Sequence, residues 1–205
     1  MIEKITYLIA GFVIGTISRL GYGGVMLLMA IESACIPLPS EIILPFSGYL
    51  VYRGEMSLPL VALAGAVGCL LGSFVAYYAG AWGGRPLIEK YGKYILISPH
   101  DLVIADRWFA RRGDITVFVG RLLPVIRTFI AFPAGVARMP VLRFSVYTLI
   151  GSYIWSFALT WIGMKLGEHW DTLGVYFHRF DTVIGVLFLA GIIAYVWRHL
   201  RQSAR

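Results

Sequence analysis

The sequence predicts an all-α integral membrane protein: an inverted repeat of two re-entrant helical hairpins, each followed by a transmembrane helix. An N-terminal helix precedes this unit and a C-terminal transmembrane helix follows it. Three observations carry the expectation. The chain is 59% hydrophobic and only 14% charged, whereas a soluble domain is about half apolar and about a quarter charged. Long charge-free stretches approach or exceed the ~20 residues a helix needs to cross the hydrocarbon. Two further apolar stretches are each broken by prolines and charges. A length of 205 residues suits one such domain.

Residues 1–20 form the N-terminal helix. Its apolar run, Ile5 to Ser18, is bounded by Lys4 and Arg19, which suits either a tilted span or a helix at the interface. A charge ahead of an apolar run has the look of a signal peptide, but no small-x-small cleavage site follows, so the segment is expected to be retained. Over residues 22–53 the apolar pattern is interrupted by Glu32, Pro37, Pro39, Glu41 and Pro45. Proline removes a backbone donor and clashes with the preceding turn. A helix–break–helix hairpin that enters and leaves on one side is therefore expected, with proline-kinked spanning helices as the alternative. Leu58 to Trp82 has no charge and gives a transmembrane helix over 58–84. Segment 85–112 is basic and carries amphipathic surface helices, the second opening after Ser98-Pro99 and ending at Arg112-Gly113. The second hairpin, 114–139, is interrupted by Arg121, Pro124, Arg127 and Pro133. Transmembrane helices over 144–166 and 182–198 follow, then the tail 199–205. The expected hairpin breaks are Pro37 and Pro39 in the first, Pro124 and Pro133 in the second.

Charge orients these elements. Arg85, Lys90, Lys93, Arg107, Arg111 and Arg112 cluster in one segment, and Arg198, Arg201 and Arg205 in the tail. The positive-inside rule places both in the cytoplasm, leaving the loop with Glu168, Asp171 and Asp181 outside. The first hairpin then enters from outside and the second from the cytoplasm. The net charge of +7 is explained by this orientation, and nucleic acid is not an expected partner, because the cations lie beside apolar runs rather than on one solvated face. Cys35 and Cys69 have no zinc-type spacing and read as small hydrophobes.

The spans after the two hairpins resemble each other. GCLLGSFVAYYAGAWGG from Gly68 and GSYIWSFALTWIGMKLG from Gly151 coincide without gaps at Gly68/Gly151, Ser73/Ser156, Phe74/Phe157, Gly80/Gly163 and Gly84/Gly167. The hairpins echo loosely, IPLPSEIILPFSG against LLPVIRTFIAFPAG. Inverted repeats with broken helices characterise alternating-access transporters, whose site lies near the midplane where the breaks meet. Glycine-rich membrane helices also match by chance, which is the plainer explanation. Gly11/Gly15, Gly68/Gly72, Gly80/Gly84 and Gly163/Gly167 have the four-residue spacing that lets helices approach closely. Packing within the chain is the commoner explanation of that spacing, and a homodimer is a second one that the spacing alone does not carry.

Four charges stand inside the hairpins: Glu32 and Glu41 in the first, Arg121 and Arg127 in the second. A charge deep in a bilayer costs at least ~2.5–3.5 kcal/mol on insertion scales, so it faces an interior or a cavity. Two buried ion pairs locking the hairpins together would explain them structurally. The functional reading makes Arg121 and Arg127 planar donors for a phosphate and makes Glu32 and Glu41 proton-exchanging groups. All four are candidate substrate-binding residues.

ESACIPLPSEIILPFSG, then GxxxGSxxAYYxG, then GRLLPVIRTFIAFPAGVARMPxxRF resemble the DedA family of bacterial membrane proteins, from about Gly21 to Gly167. The resemblance implies a bacterial plasma-membrane protein with a cytoplasmic C-terminus that transports a phosphorylated lipid. Undecaprenyl phosphate is the first expectation and phosphatidylethanolamine or another phospholipid the second. It places the family's functional carboxylates and arginines on Glu32, Glu41, Arg121 and Arg127, and it implicates protons. Some members carry Asp as the second acid at a different spacing, where this chain has Glu41. A proton-coupled carrier of small ions or solutes would use the same four residues. An enzyme acting on lipid phosphates would need a nucleophile with a base, or a metal cluster. The histidines, His100, His169, His178 and His199, lie away from the hairpins, so no catalytic residue, metal or cofactor is expected. The expected partners are the lipid substrate, protons and the membrane lipids.

Overall fold

The computed structural model describes residues 2–36, 38–84, 99–124 and 126–167. Among these residues the secondary structure is helical, with no strand. Pro37, the segment 85–98, Val125 and everything from Glu168 onward lie outside the described residues. The expected span 182–198, the tail 199–205 and the acidic loop before them therefore lie outside as well.

Helix α1 covers Ile2–Leu20, and α2 covers Tyr22–Ser33. The chain leaves helix over 34–39 and resumes as α3, Ser40–Tyr52, with Pro39 in extended backbone at its N-cap. Helix α4, Leu58–Ala79, starts with Pro59 in its first turn, where the missing N–H would have had no partner. It continues as a five-residue π-helical stretch, Gly80–Gly84. Helix α5 runs over Pro99–Arg121 and is kinked at Arg112, whose φ is −138° and ψ 19°. The helix expected to end at Arg112-Gly113 runs on through that kink into the next helix, with no loop between them. After a turn come two short helices, α6 (Ile126–Phe129) and α7 (Ala131–Val136). Helix α8, Val141–Lys165, begins three residues earlier than the expected span, because Pro140 takes the N-cap position and Arg143 fits into the first turn.

Among the described residues two stretches are long and apolar enough to cross a membrane, Leu58–Gly84 with 27 residues and Val141–Lys165 with 25. At 1.5 Å per residue each exceeds the ~30 Å of hydrocarbon.

Helices α4 and α8 pack on each other, and the shorter helices brace them crosswise. Helix α2 packs on α4 and α3 on α8; α5 packs on α8 and α7 on α4. Glycines permit these approaches. A Cβ on Gly48 of α3 would strike the backbone of Thr160 and Met164 on α8. A Cβ on Gly135 of α7 would strike the backbone of Tyr77 and Ala81 at the other span. Gly163 meets the backbone of Pro45, and Gly80 that of Phe132. Two pairs of contacts therefore recur, one on each span, at positions the gapless alignment superposes. A buried cluster of Tyr77, Val117, Ile130, Ala134, Met139 and Phe144 joins α4, α5, α7 and α8. Its centre is the Tyr77–Phe144 ring pair at 4.8 Å, with the Tyr77 hydroxyl donating to the Met139 carbonyl.

Candidate functional site

Glu32, Arg121 and Arg127 come together in the interior, and Glu41 lies within electrostatic reach of them. Glu32 stands in the last turn of α2, which closes at Ala34 with Cys35 in left-handed backbone, φ 66°. A carboxylate at a helix C-terminus opposes the helix dipole, so its position needs another source of stabilisation. Arg127 of α6 supplies it: Nη2 lies 2.5 Å from Glu32 Oε2, and both side chains are buried. The Arg127 guanidinium also lies over the Trp155 ring of α8, 5.1 Å from its centroid.

Arg121, the last residue of α5, is 2% exposed and has no carboxylate within ion-pair distance among the described residues. Its Nη1 donates to the Arg127 carbonyl at 2.9 Å, and its Nη2 donates to Ser73 Oγ of α4 at 2.7 Å. The Ser73 hydroxyl in turn donates a hydrogen bond to the Cys69 carbonyl at 2.5 Å. Arg121 thereby holds the backbone that carries Arg127 and ties it to α4. Contact between Gly151 and the Arg121 β-carbon brings α8 against the same side chain.

Glu41 lies at the edge of the same cluster, within electrostatic reach of Glu32 and Arg127. It stands half-buried in the first turn of α3, where the helix dipole favours a carboxylate, and it accepts from Ser40 Oγ at 3.2 Å. Among the described residues no cation pairs with it.

Of the expected breaks, Pro39 caps α3 and Pro124 lies in the turn after α5. Pro37 lies outside the described residues. Pro133 requires a correction: it sits inside the first turn of α7, where a ring without an N–H costs the helix nothing. The two broken segments touch beside the ion pair as well, where Cys35 Sγ donates to the Thr128 carbonyl at 3.6 Å.

Sequence reasoning missed Ser73 and Trp155 as partners of the arginines. Ser73 had a signal, its coincidence with Ser156; Trp155 had none. It also missed a row of hydroxyls, Thr148, Ser152, Ser156 and Thr160, all on the buried face of α8. Their four-residue spacing was legible. Arg121 Nε, Trp155 Nε1 and the hydroxyls of Thr148, Ser156 and Thr160 are buried without a hydrogen-bond partner among the described residues. Each such group costs ~1–3 kcal/mol left alone. Beside the Arg127–Glu32 pair, the buried N–H donors left open among the described residues are Arg121 Nε and Trp155 Nε1.

Open N–H donors beside two guanidiniums are what an anion would satisfy. Residues 38–165 match the VTT domain, a span that includes Glu41, Arg121 and Arg127 and that Glu32 precedes. The chain is 39% identical to the uncharacterized membrane protein YkoX of Bacillus subtilis, over 90% of this chain and 81% of that one. It is 36% identical to undecaprenyl phosphate transporter A of the same organism, over 87% and 88%. It is 32% identical to an alkaline phosphatase-like protein of Lactococcus lactis, over 90% of each. No solved structure matches. On the matched domain and on these relatives, the chain belongs to the VTT-domain, or DedA, family of membrane proteins.

Proposed function

We propose that this protein carries a phosphorylated lipid, undecaprenyl phosphate first, across the bacterial plasma membrane. One observation carries the reading: Arg121 is a buried guanidinium without a counter-ion, next to a second guanidinium that has one. A phosphate would give Arg121 a direct anionic partner and take up the free Arg121 and Trp155 donors. The relative named undecaprenyl phosphate transporter A supplies the first candidate substrate. Phosphatidylethanolamine or another phospholipid is the next, and a small anion the third.

In this reading both broken segments are re-entrant hairpins in an inverted repeat. The matched glycine contacts of α3 on α8 and α7 on α4 support it. The basic segment 85–112 and the tail face the cytoplasm. Arg121 and Arg127 hold the phosphate, while Glu32 and Glu41 exchange protons. When Glu32 takes a proton its bond to Arg127 weakens, which frees that guanidinium for phosphate, so proton and lipid movement are coupled through one side chain.

Hydrolysis is the second reading. The name of the Lactococcus relative suggests it, and the Ser40 hydroxyl against the Glu41 carboxylate is the hydroxyl–base pair it would use.

The test is binding, measured apart from transport, of undecaprenyl phosphate to purified protein across pH. Arg127→Ala is expected to lose affinity at every pH, since a guanidinium does not titrate in this range. Glu32→Gln is expected to keep binding and to lose the pH dependence of transport. Normal binding by the arginine variant together with loss in the glutamine variant would reverse the assigned roles. Release of inorganic phosphate from the same lipid would favour the hydrolytic reading.

A further inference from the structure

We propose that an apolar groove beside the ion pair holds the hydrocarbon chain of a polyprenyl phosphate, over the part nearest its headgroup. This rests on the function proposed above and adds where the chain lies. The groove has a volume of about 480 Å³ and is lined by Cys35, Ile126, Phe129, Ile130, Phe132 and Pro133. That size falls in the ~300–1,000 Å³ range of small-molecule sites. Cys35 comes from the first broken segment and the others from the second, so the groove lies where the two segments meet.

Its walls are continuous with the charged site. Ile126 is the neighbour of Arg127 in α6. Cys35 follows the α2 turn that carries Glu32, and its Sγ rests on the Thr128 carbonyl. One short stretch of chain thus presents a guanidinium on its buried side and an apolar hollow on its open side. Phe129 is 52% exposed and Ile126 45%, so the hollow opens outward rather than into the core.

A ligand that satisfies both parts has a phosphate at one end and hydrocarbon directly after it. A small anion would use the arginines and leave the groove without a role. One groove beside one charged site fits a single-chain lipid, whereas a diacyl phospholipid would have to place its second chain elsewhere.

Cys35 is exposed and Cys69 buried, so the native thiol at the groove reports its occupancy. The measurement is the rate of maleimide modification at Cys35 in detergent-purified full-length protein, read by peptide mass. It is run with undecaprenyl phosphate, phosphatidic acid or inorganic phosphate. Undecaprenyl phosphate is expected to slow the reaction severalfold, and inorganic phosphate to leave it unchanged. A second arm uses Phe129→Gln, checked for native helicity. It is expected to weaken binding of undecaprenyl phosphate about tenfold, the loss expected when roughly two buried methylenes are forfeited, and to leave binding of inorganic phosphate unchanged. Saturable binding of undecaprenyl phosphate with no slowing at Cys35 and no effect of Phe129→Gln would overturn the groove assignment. Equal protection by phosphatidic acid would overturn the single-chain assignment. Slowing that persists in Arg127→Ala would support the groove while removing the phosphate role of that arginine.

Discussion

Arg127 and Glu32 form a pair whose worth is separable from that of either residue. Both are desolvated, so removing the arginine leaves a buried carboxylate alone and is expected to cost ~3–5 kcal/mol of stability. Replacing both by apolar residues is expected to cost less than Arg127→Ala alone, because nothing charged is left stranded. Urea titration of the four proteins of the Arg127→Ala, Glu32→Leu cycle in detergent measures this; additive losses would contradict it. The four charges were legible from sequence because an ionisable group in an apolar run is costly and needs a reason. Which carboxylate meets which arginine was not. It depends on α2 ending at Ser33 and α5 at Arg121, and helix ends are set by tertiary packing as much as by local sequence. Glu41, paired with a neighbouring serine, carries the same residue type and the same apolar flanks as Glu32. Only its place at a helix start rather than a helix end separates the two.

Elements obey the prolines unevenly. Pro39 and Pro124 coincide with the ends of helices, while Pro45 sits inside α3 and Pro133 inside α7. Pro133 is in a first turn, where the ring removes no bond. Pro45 is mid-helix, and its missing N–H leaves the Glu41 carbonyl without its usual partner. Position within a helix therefore decides what a proline does, and the sequence alone does not give that position. The two long spans were readable from length and lack of charge. The crosswise packing of the short helices was not, although its glycines were visible. Gly48→Ala and Gly135→Ala each place a methyl against backbone, which cannot rotate away. Both are expected to destabilise by ~1–3 kcal/mol. Gly23→Ala on α2, with open space around it, is expected to be neutral or to stabilise by about 0.5–1 kcal/mol. Thermal unfolding in one detergent compares the three; a tolerated Gly135→Ala would remove the close approach of α7 to α4.

At the scale of the whole molecule the account predicts a direction as well as a site. Cysteine placed at Arg107, which is exposed, is expected to react with an impermeant maleimide only after cells are opened, and cysteine at Thr172 before. The opposite pattern would invert the orientation read from lysine and arginine. The segment 85–112 could be assigned a side from its charge, and Arg112-Gly113 marked a junction; that the chain passes it through a kink rather than a loop had no sequence signature. Movement of a lipid phosphate across the bilayer by the buried arginine pair is the proposed activity. It is tested most directly by transport of radiolabelled undecaprenyl phosphate in proteoliposomes, with phosphatidylethanolamine in parallel. The wild-type protein is expected to move it saturably, Arg127→Ala to lose about tenfold or more of the rate, and Arg127→Lys to recover little, since an ammonium does not reproduce a planar fork. Unchanged transport by both arginine variants, at matched protein content and helicity, would contradict the account.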